Sequence, residues 1–326
     1  MNLKERRIAF EASKRIYESA TLTFRGADGY DVYNTSIPFE SDGRRLLFGR
    51  VERREELARS WVRLFEETGK DTWSVVPGSM VYTLEDPYIS RIGDEHVLGG
   101  THVQYERCRL SGYCGYFYRG THIHDMYYFT TGPEKMKDIR LVELSDGRIG
   151  VFSRPKGDDL IEKYGSRSMI GFAIIDNLND LSPEVIAGAP YIPGIFGINE
   201  WGGVNQAYLL DSGKLGIIGH ICYKDRDANG VELKVYLNMS FVLDPAKREA
   251  SHLQIIGSRS CYPAGPAKLP SLEDCVFASG IEMRTDGKAD LYSGIGDCET
   301  GRITIDDPFA GHGAIARREE LRHERV

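Results

Sequence analysis

Five short turns limit what this chain can fold into. Asp42-Gly43, Gly93-Asp94, Asp146-Gly147, Ser212-Gly213 and Asp286-Gly287 stand 51, 53, 66 and 74 residues apart. An apolar run follows each: Leu46-Leu47-Phe48, His96-Val97-Leu98, Ile149-Gly150-Val151-Phe152, Leu215-Gly216-Ile217-Ile218 and Ala289-Asp290-Leu291-Tyr292. Glycine and aspartate supply the positive φ that a tight hairpin needs, so each pair marks a strand–turn–strand unit. The runs are continuous rather than alternating, which fits strands covered on both faces. A unit repeated at this period is the mark of stacked blades, and further strands fall at 171–175, 235–239 and 252–256. Four strands per unit over five units predict an all-β fold, a five-bladed β-propeller. The competing architecture is a β-sandwich, or two β domains with chance turn spacing.

The chain of 326 residues is 41% hydrophobic and 27% charged, which excludes a disordered protein. Its net charge of −7 makes duplex nucleic acid and anionic membranes poor partners. No apolar run reaches the length that spans a bilayer, and the charged start lacks a secretory core. The six cysteines are scattered without a C-x-x-C pair, which reads as reduced and cytoplasmic. Asn34-Thr35-Ser36 and Asn238-Met239-Ser240 match a glycosylation sequon, and without a secretory signal both are read as chance. Residues 1–18 are predicted to form a helical extension outside the main fold, and 313–326 a short exposed helical tail. The whole chain, 1–326, is then one propeller domain.

Inner strands of a propeller line a central channel, so polar residues beside the turns converge there. This yields Asn34 and Arg50, then Glu85, Asp86 and His102, then Arg154 and Lys156. The fourth unit adds Glu200, Asn205, His220 and Tyr223, and the fifth Tyr292 and Asp297. Carboxylates, cations and aromatics on one axis suit a sugar: acids handle the glycosidic oxygen, cations hold an anion, and rings cover the apolar sugar face. Among these, Glu85-Asp86-Pro87 stands out, because proline biases Asp86 toward extended geometry at a strand entrance. His122, His124 and Asp125 lack a further ligand, so no metal is assigned. Tyr113, Tyr116, Tyr118, Tyr127 and Tyr128 read as strand packing.

Several segments together resemble inverting β-mannoside phosphorylases. Glu85-Asp86-Pro87-Tyr88 is similar to their E/Y-D-P-R signature, with tyrosine replacing arginine. Lys137-Asp138-Ile139-Arg140-Leu141, followed by Ser153-Arg154-Pro155, resembles their K-D-x-x-L…R-P segment. Trp201-Gly202-Gly203-Val204-Asn205 leading to Ile218-Gly219-His220 resembles their Gly-rich strand ending in Y-H-G. Leu291-Tyr292-Ser293-Gly294-Ile295-Gly296-Asp297 is similar to their Y-Y-G-A-A-D. The missing arginine and the Gly-His-Ile variation look more like the dual-activity β-1,2-mannosyltransferase/phosphorylase family.

That resemblance implies a cytoplasmic, cofactor-independent inverting enzyme that interconverts β-1,2-mannan plus inorganic phosphate with α-mannose-1-phosphate. It leaves GDP-mannose as the other donor. Asp86 would be the general acid/base. Arg50, Arg154, Lys156 and His220 would bind phosphate. Asn34, Glu85, His102, Glu200, Asn205, Tyr223, Tyr292 and Asp297 would bind the oligosaccharide. Two rivals are a propeller glycoside hydrolase, with Glu85 or Glu200 as base on water, and a non-catalytic glycan-binding propeller.

Overall fold

The computed structural model describes residues 1–227 and 229–316. Strands come first after a single helix, α1 (Leu3–Ser13), capped by Asn2 and Glu5 in a reciprocal capping box. They are β1 (Glu18–Thr21), β2 (Thr23–Arg25), β3 (Asp31–Tyr33), β4 (Phe39–Ser41), β5 (Arg44–Glu52), β6 (Trp61–Gly69) and β7 (Thr72–Val75). Then follow β8 (Glu85–Ile92), β9 (Glu95–Glu106), β10 (Arg109–Gly120), β11 (Tyr127–Glu134), β12 (Arg140–Glu143) and β13 (Ile149–Ser153). After α2 (Asp158–Tyr164), β14 (Gly171–Ile175) and α3 (Pro183–Ala187) come β15 (Trp201–Leu209), β16 (Leu215–Arg226), β17 (Glu232–Asp244) and β18 (Glu249–Gly257). The last three are β19 (Val276–Met283), β20 (Lys288–Ile295) and β21 (Glu299–Asp306).

These strands form five sheets among the described residues, and each of the five turns lies in a different one. The first sheet runs β2-β7-β6-β5-β3 with β4 also on β5; the second β11-β10-β9-β8; the third β12-β13-β14; the fourth β15 to β18; the last β1-β21-β20-β19. Contacts pass from β5 to β8, β8 to β12, β12 to β15, β16 to β19, and from β21 back to β3, so the sheets close a ring. An apolar core fills each junction. Phe48 and Leu64 meet Ile89 and Leu98 between the first two sheets. Tyr88 and Val97 meet Leu141 and Val151 at the next junction, and Phe152 and Phe172 meet Ile217 and Phe241 after it. Ile218 and Val242 meet Val276 and Leu291, and Leu47 and Trp73 meet Tyr292 where the ring closes. Burial on both faces is why the runs read as continuous: all five residues of β13 are buried. The fold is all-β and propeller-like.

Three expectations change. The third sheet has three strands and the first has six, not four. Residues 190–192 run beside β14, with Phe172 N–H donating to Pro190 O and Ile192 N–H to Ile170 O, while α3 packs on β11, β13 and β14. The helix predicted for 1–18 stops at Ser13, and it is not outside the fold, since Leu3 is buried and α1 rests on β16 and β18. Of the tail predicted for 313–326, Ile315 bridges to Leu210, and residues 317–326 lie outside the described residues.

Ring closure runs through one segment. β1 pairs with β21, with Glu18 opposite Thr304, and two residues later β2 pairs in parallel with β7. Leu22 between them is buried, its N–H bound to Thr300 O at 2.8 Å. A single stretch thus staples the last sheet to the first.

Candidate active site

Charged groups converge where the inner strands begin, and left-handed backbone delivers them. Asn34, Asp86, Asp138 and Asp297 have φ of 45°, 49°, 58° and 54°. Asn and Asp tolerate this region better than other non-glycine residues, and such conformations gather at functional sites. Asp86 is therefore not extended, as the following proline predicts. The β8–β9 register breaks between Glu85 and Tyr88, and this bulge turns the Asp86 carboxylate inward.

Arg50 ties the first cluster together. Its guanidinium donates to Asp86 Oδ1 at 2.9 Å, to Glu85 Oε1 at 2.9 Å and to Glu52 Oε2 at 3.3 Å. Asn34 Nδ2 donates to Asp86 Oδ1 at 2.8 Å and to Asp297 Oδ1 at 3.5 Å. Lys137 Nζ stands 3.6 Å from the other Asp86 oxygen. Glu52 is fully buried and also holds Lys268 and the Tyr33 hydroxyl.

The acids titrate apart. Burial alone would raise Asp86, but Arg50 and Lys137 hold its carboxyl below the usual range. Burial dominates at Glu85 and Asp297, and both are raised despite Arg50. Neighbouring carboxyls pushed in opposite directions are what acid–base chemistry needs.

A second cluster adjoins the first through Lys137. Arg154 donates from Nη1 to Asp138 and from Nε to Gly202 O at 2.8 Å, while its Nη2 makes no hydrogen bond to a described residue. His220 donates from Nδ1 to Asn205 Oδ1 at 2.7 Å, and its Nε2 faces Asp138 Oδ2 at 3.9 Å. Burial, with Arg154 beside it, pushes His220 down to about 3, so it is neutral at pH 7 and not the cation expected. Lys156 is exposed, and no carboxylate pairs with it among the described residues. Partial loss of solvent around its ammonium and the cations Arg154, Lys137, Arg167 and Lys234 lower it.

The predicted residues divide accordingly. Asn34, Arg50, Glu85, Asp86 and Asp297 share the first cluster; Arg154, Asn205 and His220 share the second, with Lys156 at its rim. His102 stands one residue beyond Thr101, the strand partner of Glu85, stacked on Tyr116 at 4.2 Å. Three lie elsewhere. Tyr292 packs where the ring closes and accepts from Arg45 at 3.2 Å. Glu200 accepts from Gly197 N–H at 2.8 Å and lines a separate cavity of about 400 Å³ with Tyr223 and Lys4. Tyr223 and Tyr292 sit on second strands and Glu200 just before the inner strand β15, so sequence position alone could not separate them from the site. Lys137, Asp138 and Arg140 were missed as site residues, although their alternating charges leading into β12 were visible.

Anchored carboxylates beside Lys137, Arg154 and Lys156 bring acid–base groups and cations to one place, the make-up of an enzyme site. The particular family follows from comparison. A family model described as "Protein of unknown function (DUF1861)" matches residues 8–311, and the chain belongs to that family. MPT-4, a mannose phosphorylase from Leishmania mexicana solved with phosphate ion, is 54% identical, with a TM-score of 0.92 over 97% of this chain and 96% of that one. MPT-1, a GDP-Man-dependent mannosyltransferase from the same organism, is 48% identical, with a TM-score of 0.90 over 97% and 98%. The chain thus belongs with the mannosyltransferase/phosphorylase enzymes. The β-1,2-mannobiose phosphorylase of Listeria innocua, at 14% identity and a TM-score of 0.59 over 96% and 94%, shares the fold. No curated protein sequence matches the chain. Among the described residues no helix is long and apolar enough to cross a membrane.

Proposed function

We propose that the protein is an inverting β-1,2-mannoside phosphorylase/mannosyltransferase, which interconverts β-1,2-mannan plus phosphate with α-mannose-1-phosphate. The observation that carries this is the division of charge: an ionised, anchored Asp86 on one side, and Lys137, Arg154 Nη2 and Lys156 on the other. A dianion with phosphate geometry fits such a group of cations.

In synthesis Asp86 takes the proton from the acceptor hydroxyl as mannose leaves phosphate. In phosphorolysis phosphate attacks the anomeric carbon and Asp86 returns the proton to the departing oxygen. Bound phosphate draws on Lys137 and adds negative charge, and both effects raise Asp86 toward the protonated form this direction needs. Asn34, Glu85 and Asp297 hold mannose hydroxyls. Arg50, with both terminal nitrogens bound to a set of three carboxylates, positions the acids rather than phosphate. Neutral His220 offers Nε2 to a protonated phosphate oxygen. GDP-mannose, the donor of MPT-1, enters as the alternative to mannose-1-phosphate. We read the five sheets as five blades of one domain and place the enzyme in the cytoplasm, in keeping with its six free thiols.

The test is incubation with α-mannose-1-phosphate and mannose. β-1,2-linked oligomers and released phosphate are expected, and the reverse reaction should require inorganic phosphate. Cleavage to free mannose without phosphate would overturn the proposal in favour of a hydrolase.

A further inference from the structure

The second sheet is taller than its inner strand. Glu85, the first residue of β8, pairs with Thr101, yet β9 runs on to Glu106 and β10 begins at Arg109. Five residues of β9 and six of β10, one of them in a bulge, therefore overhang the site by roughly 17 Å at a rise of ~3.3 Å per residue. The tip turns through Arg107 and Cys108, with φ of 47° and 63°, two left-handed residues in succession as a two-residue hairpin requires.

This overhang is held. Tyr105 donates its hydroxyl to Ala58 O at 2.6 Å and also reaches Leu57 O at 3.2 Å. The Arg59 guanidinium lies over the Tyr105 ring at 5.2 Å. Arg59 N–H is bound to Glu52 Oε1 at 2.8 Å, and Glu52 bonds Arg50 of the first cluster. The loop and the hairpin are thus fixed to the carboxylate side of the site. Tyr105 keeps 39% of its surface exposed, and Leu110, opposite it on β10, keeps 55%. The phenol is raised by partial burial and by Glu85, which places it within electrostatic reach of the carboxylates.

Inversion by single displacement puts the incoming phosphate and the departing sugar on opposite sides of the anomeric carbon. Lys156 and Arg154 belong to the third sheet and its outgoing loop. Glu85, Arg50 and the overhang belong to the first two sheets. The departing chain therefore leaves toward the overhang.

We infer that the β9–β10 overhang and the clasped loop 53–59 form a subsite for sugar units beyond the one adjoining the scissile bond, with the open face of Tyr105 as its platform. An aromatic face with one side covered by a guanidinium takes the apolar face of a neutral pyranose. The wall sets chain-length preference and leaves chemistry at the first bond unchanged. The inference rests on the mannoside phosphorylase reading above.

The experiment measures phosphorolysis of β-1,2-mannose oligomers of two to five units by the parent, Tyr105→Ala and Tyr105→Phe. Parent kcat/KM should rise with length. Tyr105→Ala should lose about tenfold on the longer oligomers, through KM, and stay within about twofold on the dimer. Tyr105→Phe keeps the ring and should keep the length dependence. Equal activity of parent and Tyr105→Ala at every length overturns the subsite alone, as does an equal loss in Tyr105→Phe, which would make the residue only a clasp. A parent inactive on every mannoside overturns the functional reading, and the subsite with it.

Discussion

Asp86 combines two properties that oppose each other in a free carboxylic acid: it is buried, and it is ionised. Arg50 and Asn34 hold one oxygen, and Lys137 is near the other, so the second oxygen is the one open to a substrate hydroxyl. Asp86→Asn keeps the shape and leaves Arg50 bound to Glu85 and Glu52, so the variant should fold. It cannot exchange a proton near neutral pH and should lose about 10²–10⁴-fold in turnover, equally in both directions. Glu85→Gln should cost far less. Steady-state rates in each direction, with circular dichroism for the fold, decide this; Asp86→Asn within about threefold of the parent would move the role to Glu85 or Asp297. Asp86 was legible through its proline and motif. Its left-handed φ was not, because Asp-Pro by itself favours extended backbone, and the bulge against Thr101 overrides that preference.

At the scale of elements, β16 shows how a buried strand stores a pH dependence. Leu215 to Tyr223 are all buried, and His220 sits among them neutral. Its folded value of about 3 lies below the ordinary 6.5, so the unfolded chain binds the extra proton between those limits. The stability this contributes is complete above about pH 6.5 and falls as pH drops toward 3, by up to ~1.4 kcal/mol per pH unit. Urea unfolding at pH 4.5, 5.5 and 7 should show the decline, and His220→Gln should flatten it; an unchanged slope would mean His220 is already charged in the fold. The strands themselves were readable because turn chemistry and apolar runs agree. The missing fourth strand of the third sheet was not. Ser182-Pro183 is a strong helix start, with Ser182 capping Val185, and α3 follows β14 where the four-strand unit would continue.

For the whole molecule, the ring of sheets depends on the segment from Glu18 to Arg25. Leu22 joins the core at the closing junction with Val32, Leu47 and Trp73. Leu22→Ala should cost about 2–5 kcal/mol, read as a lower denaturation midpoint. A cost under ~0.5 kcal/mol would show that the closure carries little stability. The number of sheets was legible in the five turns, whereas the staple was not, since no local signal in Thr21-Leu22-Thr23 names a partner near residue 300.

That pairing also fixes an order of events during synthesis. Glu18 waits for Thr304, which is 286 residues further along. At ~5–20 residues per second a ribosome needs roughly 15–60 s to deliver the partner strand. Until then the first sheet is made but the ring stands open, with β1 unpaired and the apolar surface around Leu22 facing the cell. A nascent chain in that state is the form most exposed to aggregation and to chaperones, and the last strand to emerge completes the first contact the chain was built to make.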